Sequence, residues 1–503
     1  MKHLIASRRG FLKAMGLGAA SLAMPRLVSA AGETKRPSIL FIMSDDHASQ
    51  AISAYGGILA KVAPTANIDR IAKEGMLFKE CFCTNSICTP SRAAIFTGKY
   101  SHKNGVYKFT ALDWNQPTLP ALMQKAGYHT AIVGKYHLHS NPQGFDYWSI
   151  LPGQGVYNNP NFVEMGQEHD SGWVHRSRKR THYKGHVTDV IGDKALDYLK
   201  NRRPKNKPFV FFCHFKAPHD MWEYARRYED LFKDIEIPEP DNLFDDYSTR
   251  TDAIKRTKQK IGNTRGESHT AFPEETKGLT GRALKKKQYQ IYMKKFLRCV
   301  RGIDDNIGRI LDYLDESELA ENTVVIYTAD QGFFLGEHGL YDKRFMYEES
   351  LRMPFIVRWP GRIRTGSVNE AMILNVDFAP TILEIAGKKA HKEMQGRSFV
   401  PLLMGKTPSD WRESMYYRYY FSHFDTECHY GVRTGTYKLI CFDRTKQWEL
   451  FDLVKDPKEM NNVYNDPAYQ DVVRELKAEL KRLQDELGDD PNDRGDNPRT
   501  GLD

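Results

Sequence analysis

Short runs of β-branched and aromatic residues, each ending in polar positions, recur at 38–43, 130–133, 208–215, 323–327 and 354–357. Continuous apolar runs of this length predict strands buried on both faces of a sheet. Between them, apolar positions recur at helical spacing over 120–126, 187–201 and 285–314. Strands alternating with helices predict an α/β sandwich, a large mostly parallel central sheet with helices on both faces. In such folds chemistry gathers outside the carboxyl ends of the strands, and Asp45, Asp46, Lys135, His219 and Asp330 all follow predicted strands. The charged stretch 226–286, interrupted by Pro238, Pro240 and Pro273, predicts an insertion running over the core surface. After Pro401-Leu402-Leu403 the pattern changes to short strands at 431–442 and 448–452 and a helix at 469–486, a small α+β subdomain with an antiparallel sheet. The predicted organisation is a catalytic domain at 36–404, a C-terminal subdomain at 405–487 and, at 488–503, a tail whose Asp, Asn, Pro and Gly content predicts disorder.

A chain of 503 residues exceeds what one core usually serves, which agrees with a large domain plus a smaller one. The beginning reads differently. Ser7-Arg8-Arg9-Gly10-Phe11-Leu12-Lys13, the apolar run 14–23 and the small residues Val28-Ser29-Ala30 come in the order of a twin-arginine export signal at 1–30. This predicts export by the twin-arginine translocase to the periplasm or beyond, with cleavage after Ala30; a basic amphipathic helix is the alternative. The run is too short for a stable membrane anchor, and no later stretch reaches the ~18 apolar residues of a span. A net charge of +9 over 73 basic and 64 acidic side chains suits solubility and anionic substrates, and argues against nucleic acid. Seven cysteines, an odd number, in a protein exported already folded argue against a disulfide framework. Cys81, Cys83 and Cys88 lack the neighbouring pair that would complete a zinc site, and Cys81, Cys83 and Cys213 suit small buried hydrophobes.

Candidate chemistry concentrates in two places. In Cys88-Thr89-Pro90-Ser91-Arg92-Ala93-Ala94-Ile95-Phe96-Thr97-Gly98-Lys99, Thr89 can cap, Pro90 suits a first helical turn and Gly98 can stop the helix. Cys88 is then at a helix N-terminus, a natural anion site, with the Arg92 charge one turn on. Ser44-Asp45-Asp46-His47 and Thr328-Ala329-Asp330-Gln331-Gly332 end two predicted strands and supply three carboxylates and one amide oxygen. All-oxygen ligation suits Ca2+ or Mg2+ and not zinc. Taken alone, Asp45-Asp46 also suits a turn or a helix cap.

The segment Cys88 to Arg92 with Thr97-Gly98-Lys99 resembles the signature of formylglycine-dependent (type I) sulfatases, of the alkaline-phosphatase-like superfamily and especially its bacterial carbohydrate sulfatases. Gly134-Lys135-Tyr136-His137-Leu138, with Tyr136 where tryptophan is usual, Lys216-Ala217-Pro218-His219 and Gly336-Glu337-His338-Gly339-Leu340-Tyr341-Asp342-Lys343-Arg344 extend the likeness. It runs from residue 38 to about 465. The resemblance implies that Cys88 is oxidised to formylglycine (3-oxoalanine) by a formylglycine-generating or anaerobic sulfatase-maturing enzyme. The aldehyde hydrate offers one hydroxyl to attack sulfur and a second to expel sulfate. It implies Asp45, Asp46, Asp330 and Gln331 as ligands of calcium, more commonly than magnesium, with Gln331 replacing the usual Asn or His. Lys135, Lys343 and Arg92 would meet sulfate charge, His137 would orient or deprotonate the hydrate, and His219 would hydrogen-bond sulfate and the leaving oxygen. His338 suits either the pocket or the packing of a loop.

The segment 418–433 mixes Arg418, His423, Asp425, Glu427, His429 and Arg433 with aromatic residues. If it folds over the Cys88 pocket, His429 and Arg433 are the expected sugar contacts; a half-exposed strand requires the same alternation. The implied activity is hydrolysis of sulfate esters on a sulfated carbohydrate. A phosphonate monoester hydrolase or phosphodiesterase of the same superfamily is the enzymatic alternative. An inactive polysaccharide-binding relative is the other, but it would lose Cys88, Arg92 or the Asp ligands, and none is lost.

Overall fold

A computed structural model describes residues 36–170, 172, 174–263 and 269–490; the expected export signal lies outside them. Its centre is a ten-stranded mixed sheet. The predicted strands form its middle: Ser38–Ser44 lies between Phe209–Phe215 and Thr323–Ala329, parallel to both, and His129–Lys135 adds in parallel beyond Phe209–Phe215. Phe355–Arg358 joins Thr323–Ala329 antiparallel. Short strands missing from the sequence reading complete the edges, among them Met76–Phe78, Tyr147–Leu151 and Asn161–Glu164.

Strand alternation sorts the core into two layers. Leu40, Ile42, Phe211, Cys213 and Val325 face Ile68, Val190, Ile191, Ile303 and Ile307 of the helices Ala66–Lys73, Val187–Asp197 and Gly281–Glu316. Ile39, Phe41, Val210 and Phe212 face Phe96, Met123, Phe378 and Ile382 of Cys88–Thr97, Leu119–Lys125 and Phe378–Ile385. A sheet apolar on both faces has to be covered on both, which is why the central runs carry so few polar residues. The long helix begins at Gly281, so the insertion ends near 280.

Four antiparallel strands, Ser414–Tyr419, His429–Thr434, Tyr437–Phe442 and Trp448–Asp452, form the C-terminal sheet. Val473, Leu476, Leu480 and Leu483 of the helix Gln470–Leu487 share one core with this sheet, and Cys88, Phe345 and Tyr347 belong to the same core. The start of the expected tail is anchored: Gly488 ends the helix in the left-handed region, and Arg418 donates at 2.9 Å to each carboxylate oxygen of buried Asp489. A buried guanidinium demands such a partner, so folded chain continues to Asp490, and 491–503 lie outside the described residues. No helix among the described residues is long and apolar enough to cross a membrane.

Candidate active site

Cys88 opens the helix Cys88–Thr97, with Ile87 as its cap residue and Gly98, at φ 64°, closing it. Thr89 does not cap. Its hydroxyl donates to the His137 carbonyl at 2.8 Å, tying this helix to the turn after His129–Lys135. That contact sets the Cys88 Sγ 3.3 Å from His137 Nδ1. Gly134 must be glycine: at φ 98°, a Cβ would stand 2.0 Å from the His214 carbonyl oxygen. The close approach of the two strands there delivers Lys135 and His137 to the same spot.

Beneath Cys88 lie Asp45, Asp46, Asp330, Gln331, Arg92 and Lys135, all with 0–1% of their surface exposed. Arg92 donates through Nε to Asp330 Oδ2 at 3.0 Å and through Nη1 to the Lys135 carbonyl at 2.7 Å, with Nη2 also 3.0 Å from Asp330 Oδ2. Burial raises the pKa of the Asp330 carboxyl, but the charges of Arg92, Lys135 and Lys343 outweigh it and hold the group below the usual carboxylate range. Lys343 donates to both Asp46 oxygens, at 2.6 and 2.7 Å. Burial nevertheless pushes Asp46 up to about 7. Lys135 contacts Asp45 and donates to Gln154 Oε1 at 2.5 Å; burial drives its own pKa well down. Burial likewise pushes the Cys88 thiol up to about 12, so the unmodified side chain stays a protonated thiol near neutral pH and is a poor nucleophile.

The oxygens fit a hard cation. Asp45 Oδ1 and Gln331 Oε1 are buried with no hydrogen-bond partner, while Gln331 turns its amide nitrogen to Asp46. Ligand atoms of Asp45, Asp46 and His219 lie within 4.8 Å of one another, and Asp330 Oδ1 accepts from the Asp46 backbone N–H at 3.2 Å. Orphaned buried oxygens of this kind need a cation to satisfy them. Asp46, His137, Asp342 and Arg344 have φ of 65°, 51°, 75° and 96°, values costly for residues with a Cβ and typical of functional sites.

Beside Cys88 opens a cavity of about 130 Å³, into which His219 and Lys343 also project. Burial pushes His219 down to about 3 although Asp220 opposes it. Five polar residues that the sequence left without a role line the same cavity, Gln154, Asp220, His269, Asp342 and Arg344, together with His423 of the segment 418–433. Phe109, Phe333, Tyr341 and Phe424 give it aromatic walls. Asp220, Asp342 and Arg344 were signalled by adjacency to His219 and Lys343; Gln154 and His269 carry no local mark.

Three expected pocket residues lie elsewhere. His338 hydrogen-bonds Asp245 at 2.8 Å and stacks on Tyr347. His429 accepts from the Met346 N–H at 3.1 Å, faces the Glu427 carbonyl at 2.8 Å and is fully buried among aromatic rings. Arg433 is 2.6 Å from Glu80 and 3.2 Å from Glu348 and covers the Phe82 ring. The segment 418–433 does reach the cavity, but through His423 and Phe424, at the turn between its two strands.

The family description "Sulfatase" matches residues 37–388, and "N-sulphoglucosamine sulphohydrolase, C-terminal" matches 336–486. The chain is 43% identical to an N-acetylglucosamine-6-O-sulfatase of Bacteroides thetaiotaomicron, over 92% of this chain and 89% of that one. It is 27% identical to an arylsulfatase of Clostridium perfringens over 89% of this chain and 95% of the other. A solved structure of an enzyme in complex with its substrate D-glucosamine-2-N,6-O-disulfate superposes with a TM-score of 0.84 at 41% identity, covering 92% of this chain and all of that one.

Proposed function

From the premise that the chain belongs to the sulfatase family and is a sulfuric ester hydrolase acting on carbohydrate, we propose that it removes the 6-O-sulfate of an N-acetylated or N-sulfated glucosamine residue. The observation that carries this is the polar cavity beside Cys88, lined by Lys343, Arg344 and three histidines, in a chain 43% identical to an enzyme named for that reaction. The Cys88 Sγ stands where the oxygens of a formylglycine hydrate would be, and a formylglycine-generating or anaerobic sulfatase-maturing enzyme would make the conversion. The hydrate supplies one hydroxyl for attack on sulfur and another for release of sulfate. Asp45, Asp46, Asp330 and Gln331 would hold calcium, or magnesium, as a Lewis acid beside the sulfate.

With the buried pairs ionised against one another, three carboxylates, Asp45, Asp46 and Asp330, stand against three cations, Arg92, Lys135 and Lys343. A divalent ion would leave the site about two charges positive, matched to an anionic ester and its product. Lys135 and Lys343 carry the charge that meets sulfate oxygens. Arg92, with its guanidinium committed to Asp330 and the Lys135 carbonyl, orients a ligand instead of contacting substrate. His137 is placed to take or steer the proton at the Cys88 position, and His219 faces the side where the sugar oxygen departs. Asp342, Arg344 and His423 offer contacts for sugar hydroxyls, and Phe109 and Phe424 offer ring faces. Export by the twin-arginine pathway to the periplasm completes the proposal.

Sulfate release is to be measured on 6-sulfated N-acetylglucosamine and glucosamine-2-N,6-O-disulfate, beside galactose 6-sulfate, N-acetylgalactosamine 4-sulfate and 2-O-sulfated uronate disaccharides. The first pair should be hydrolysed fastest. Release confined to the other sugars would overturn the substrate, and cleavage of aryl phosphate diesters without any sulfate release would overturn the reaction.

A further inference from the structure

Asp220 touches two histidines at once, with Oδ1 against His219 Nδ1 and Oδ2 against His269 Nδ1. All three side chains line the Cys88 cavity. Their side-chain exposures rise from 11% for His219 through 22% for Asp220 to 34% for His269, so the series runs outward from floor to mouth. His219 and Asp220 follow the strand Phe209–Phe215, whereas His269 comes from the insertion and is fixed to the cavity wall by its backbone N–H, 3.3 Å from the Tyr341 hydroxyl. The other nitrogen of His219, Nε2, points inward and lies 3.9 Å from Asp46 Oδ2.

We infer that Asp220 is a positioning residue for His219 and that His269 clamps Asp220 in place. The inference rests on the reading of His219 as the group at the leaving oxygen. A carboxylate against one imidazole nitrogen selects the tautomer with its proton there and fixes the ring plane, which decides what the second nitrogen presents to the reacting atoms. Alone, a carboxylate one-fifth exposed would rotate toward water; with its second oxygen held by His269 it cannot leave His219. Despite its burial, the two histidines hold the Asp220 carboxyl far below the usual range, so it remains anionic, and Asp220 in turn raises the pKa of His269. With the anionic sulfate ester bound beside it, His219 enters the step protonated on both ring nitrogens; when the S–O bond to the sugar breaks, its electron pair stays on the sugar oxygen, which takes the Nε2 proton. The ring is left as the neutral tautomer whose Nδ1 proton faces Asp220, and water later returns a proton to Nε2. An alkoxide needs that proton far more than a stabilised phenolate does.

The test is the dependence of kcat on the leaving group. Asp220→Asn should lower kcat on 6-sulfated N-acetylglucosamine and on phenyl sulfate by roughly ten- to a hundredfold, yet change 4-nitrophenyl sulfate less than about threefold. His269→Gln should shift the series the same way by a smaller factor, and Asp220→Glu should restore part of the loss. A readout free of turnover is nitrogen-15 histidine NMR: the His219 Nδ1 proton should be seen in the wild type and lost in Asp220→Asn. Equal losses on all three esters, or wild-type rates throughout, overturn the inference. A wild-type protein that cleaves none of the esters overturns the reading of the site instead, and the NMR comparison still decides the inference. Should Asp220→Asn fail to fold, the leaving-group series and the NMR spectrum of His269→Gln decide it.

Discussion

His423 and His429, six residues apart in one segment, should answer mutation in opposite ways. His423 is exposed on the cavity rim, with its ring stacked on Phe421 at 5.4 Å. His423→Ala removes one polar contact to the sugar, about 1.4 kcal/mol, and should lower kcat/KM on the sulfated glucosamine roughly tenfold. A small aryl sulfate, which does not reach the rim, should be hydrolysed as before. His429 is wholly buried, its ring centroid 5.4–5.8 Å from those of Phe345, Tyr417, Tyr419 and Phe442. His429→Ala strands the buried Met346 N–H, at about 1–3 kcal/mol, and leaves a cavity comparable to a lost core aromatic ring, about 3–5 kcal/mol. The two costs overlap, so about 3–5 kcal/mol of stability should go. Activity per folded molecule should keep its ratio between the two substrates. Arg433→Ala should follow His429, because its partners Glu80 and Glu348 are framework. The assay pairs denaturant unfolding with kcat/KM on the saccharide and on 4-nitrophenyl sulfate for each variant. The reasoning fails if His429→Ala keeps wild-type stability and loses activity on the saccharide alone, or if His423→Ala slows both substrates equally.

Two further outcomes follow from the site. Intact mass of the active protein should be lower by the ~18 Da expected when a thiol becomes an aldehyde, mapped to Cys88, and Cys88→Ala should be inactive; full activity in that variant would refute the proposed nucleophile. Chelation should abolish turnover and lower the melting temperature, and calcium should restore both, since buried Asp45 and Gln331 oxygens otherwise lack partners; restoration by zinc and not by calcium would refute the all-oxygen site.

The central strands were legible because burial on both faces leaves an unbroken apolar run, and the chemistry was legible where it hangs on their carboxyl ends. Asp45, Asp46, Lys135, His219 and Asp330 needed only the rule that an α/β sheet gathers function at that edge. The strands Tyr147–Leu151 and Asn161–Glu164 were not legible, since at five and four residues they are too short to show a period against their surroundings. Thr89 shows how local reasoning misassigns a contact. Its hydroxyl could satisfy a helix N-terminus, but the His137 carbonyl competes for it and wins, and only the packed structure brings that carbonyl near.

The substrate side of the cavity was the least legible for a related reason. His429 and Arg433 stood out because charged groups among aromatics look like a sugar site. Yet the same composition is what an antiparallel sheet uses when it is buried on both faces and must satisfy every polar atom internally. His429 has both ring nitrogens engaged by backbone groups, at 3.1 and 2.8 Å, and so has nothing left to offer a ligand. Of the groups that do face the cavity, Arg344, His269 and His423 sit on irregular segments and in the insertion, and Asp342 ends a strand of only two residues, so no periodicity marks direction. Loops are free to point a side chain at a ligand because no ladder dictates the face. A residue's availability for chemistry is therefore set by which of its polar atoms the fold leaves unengaged.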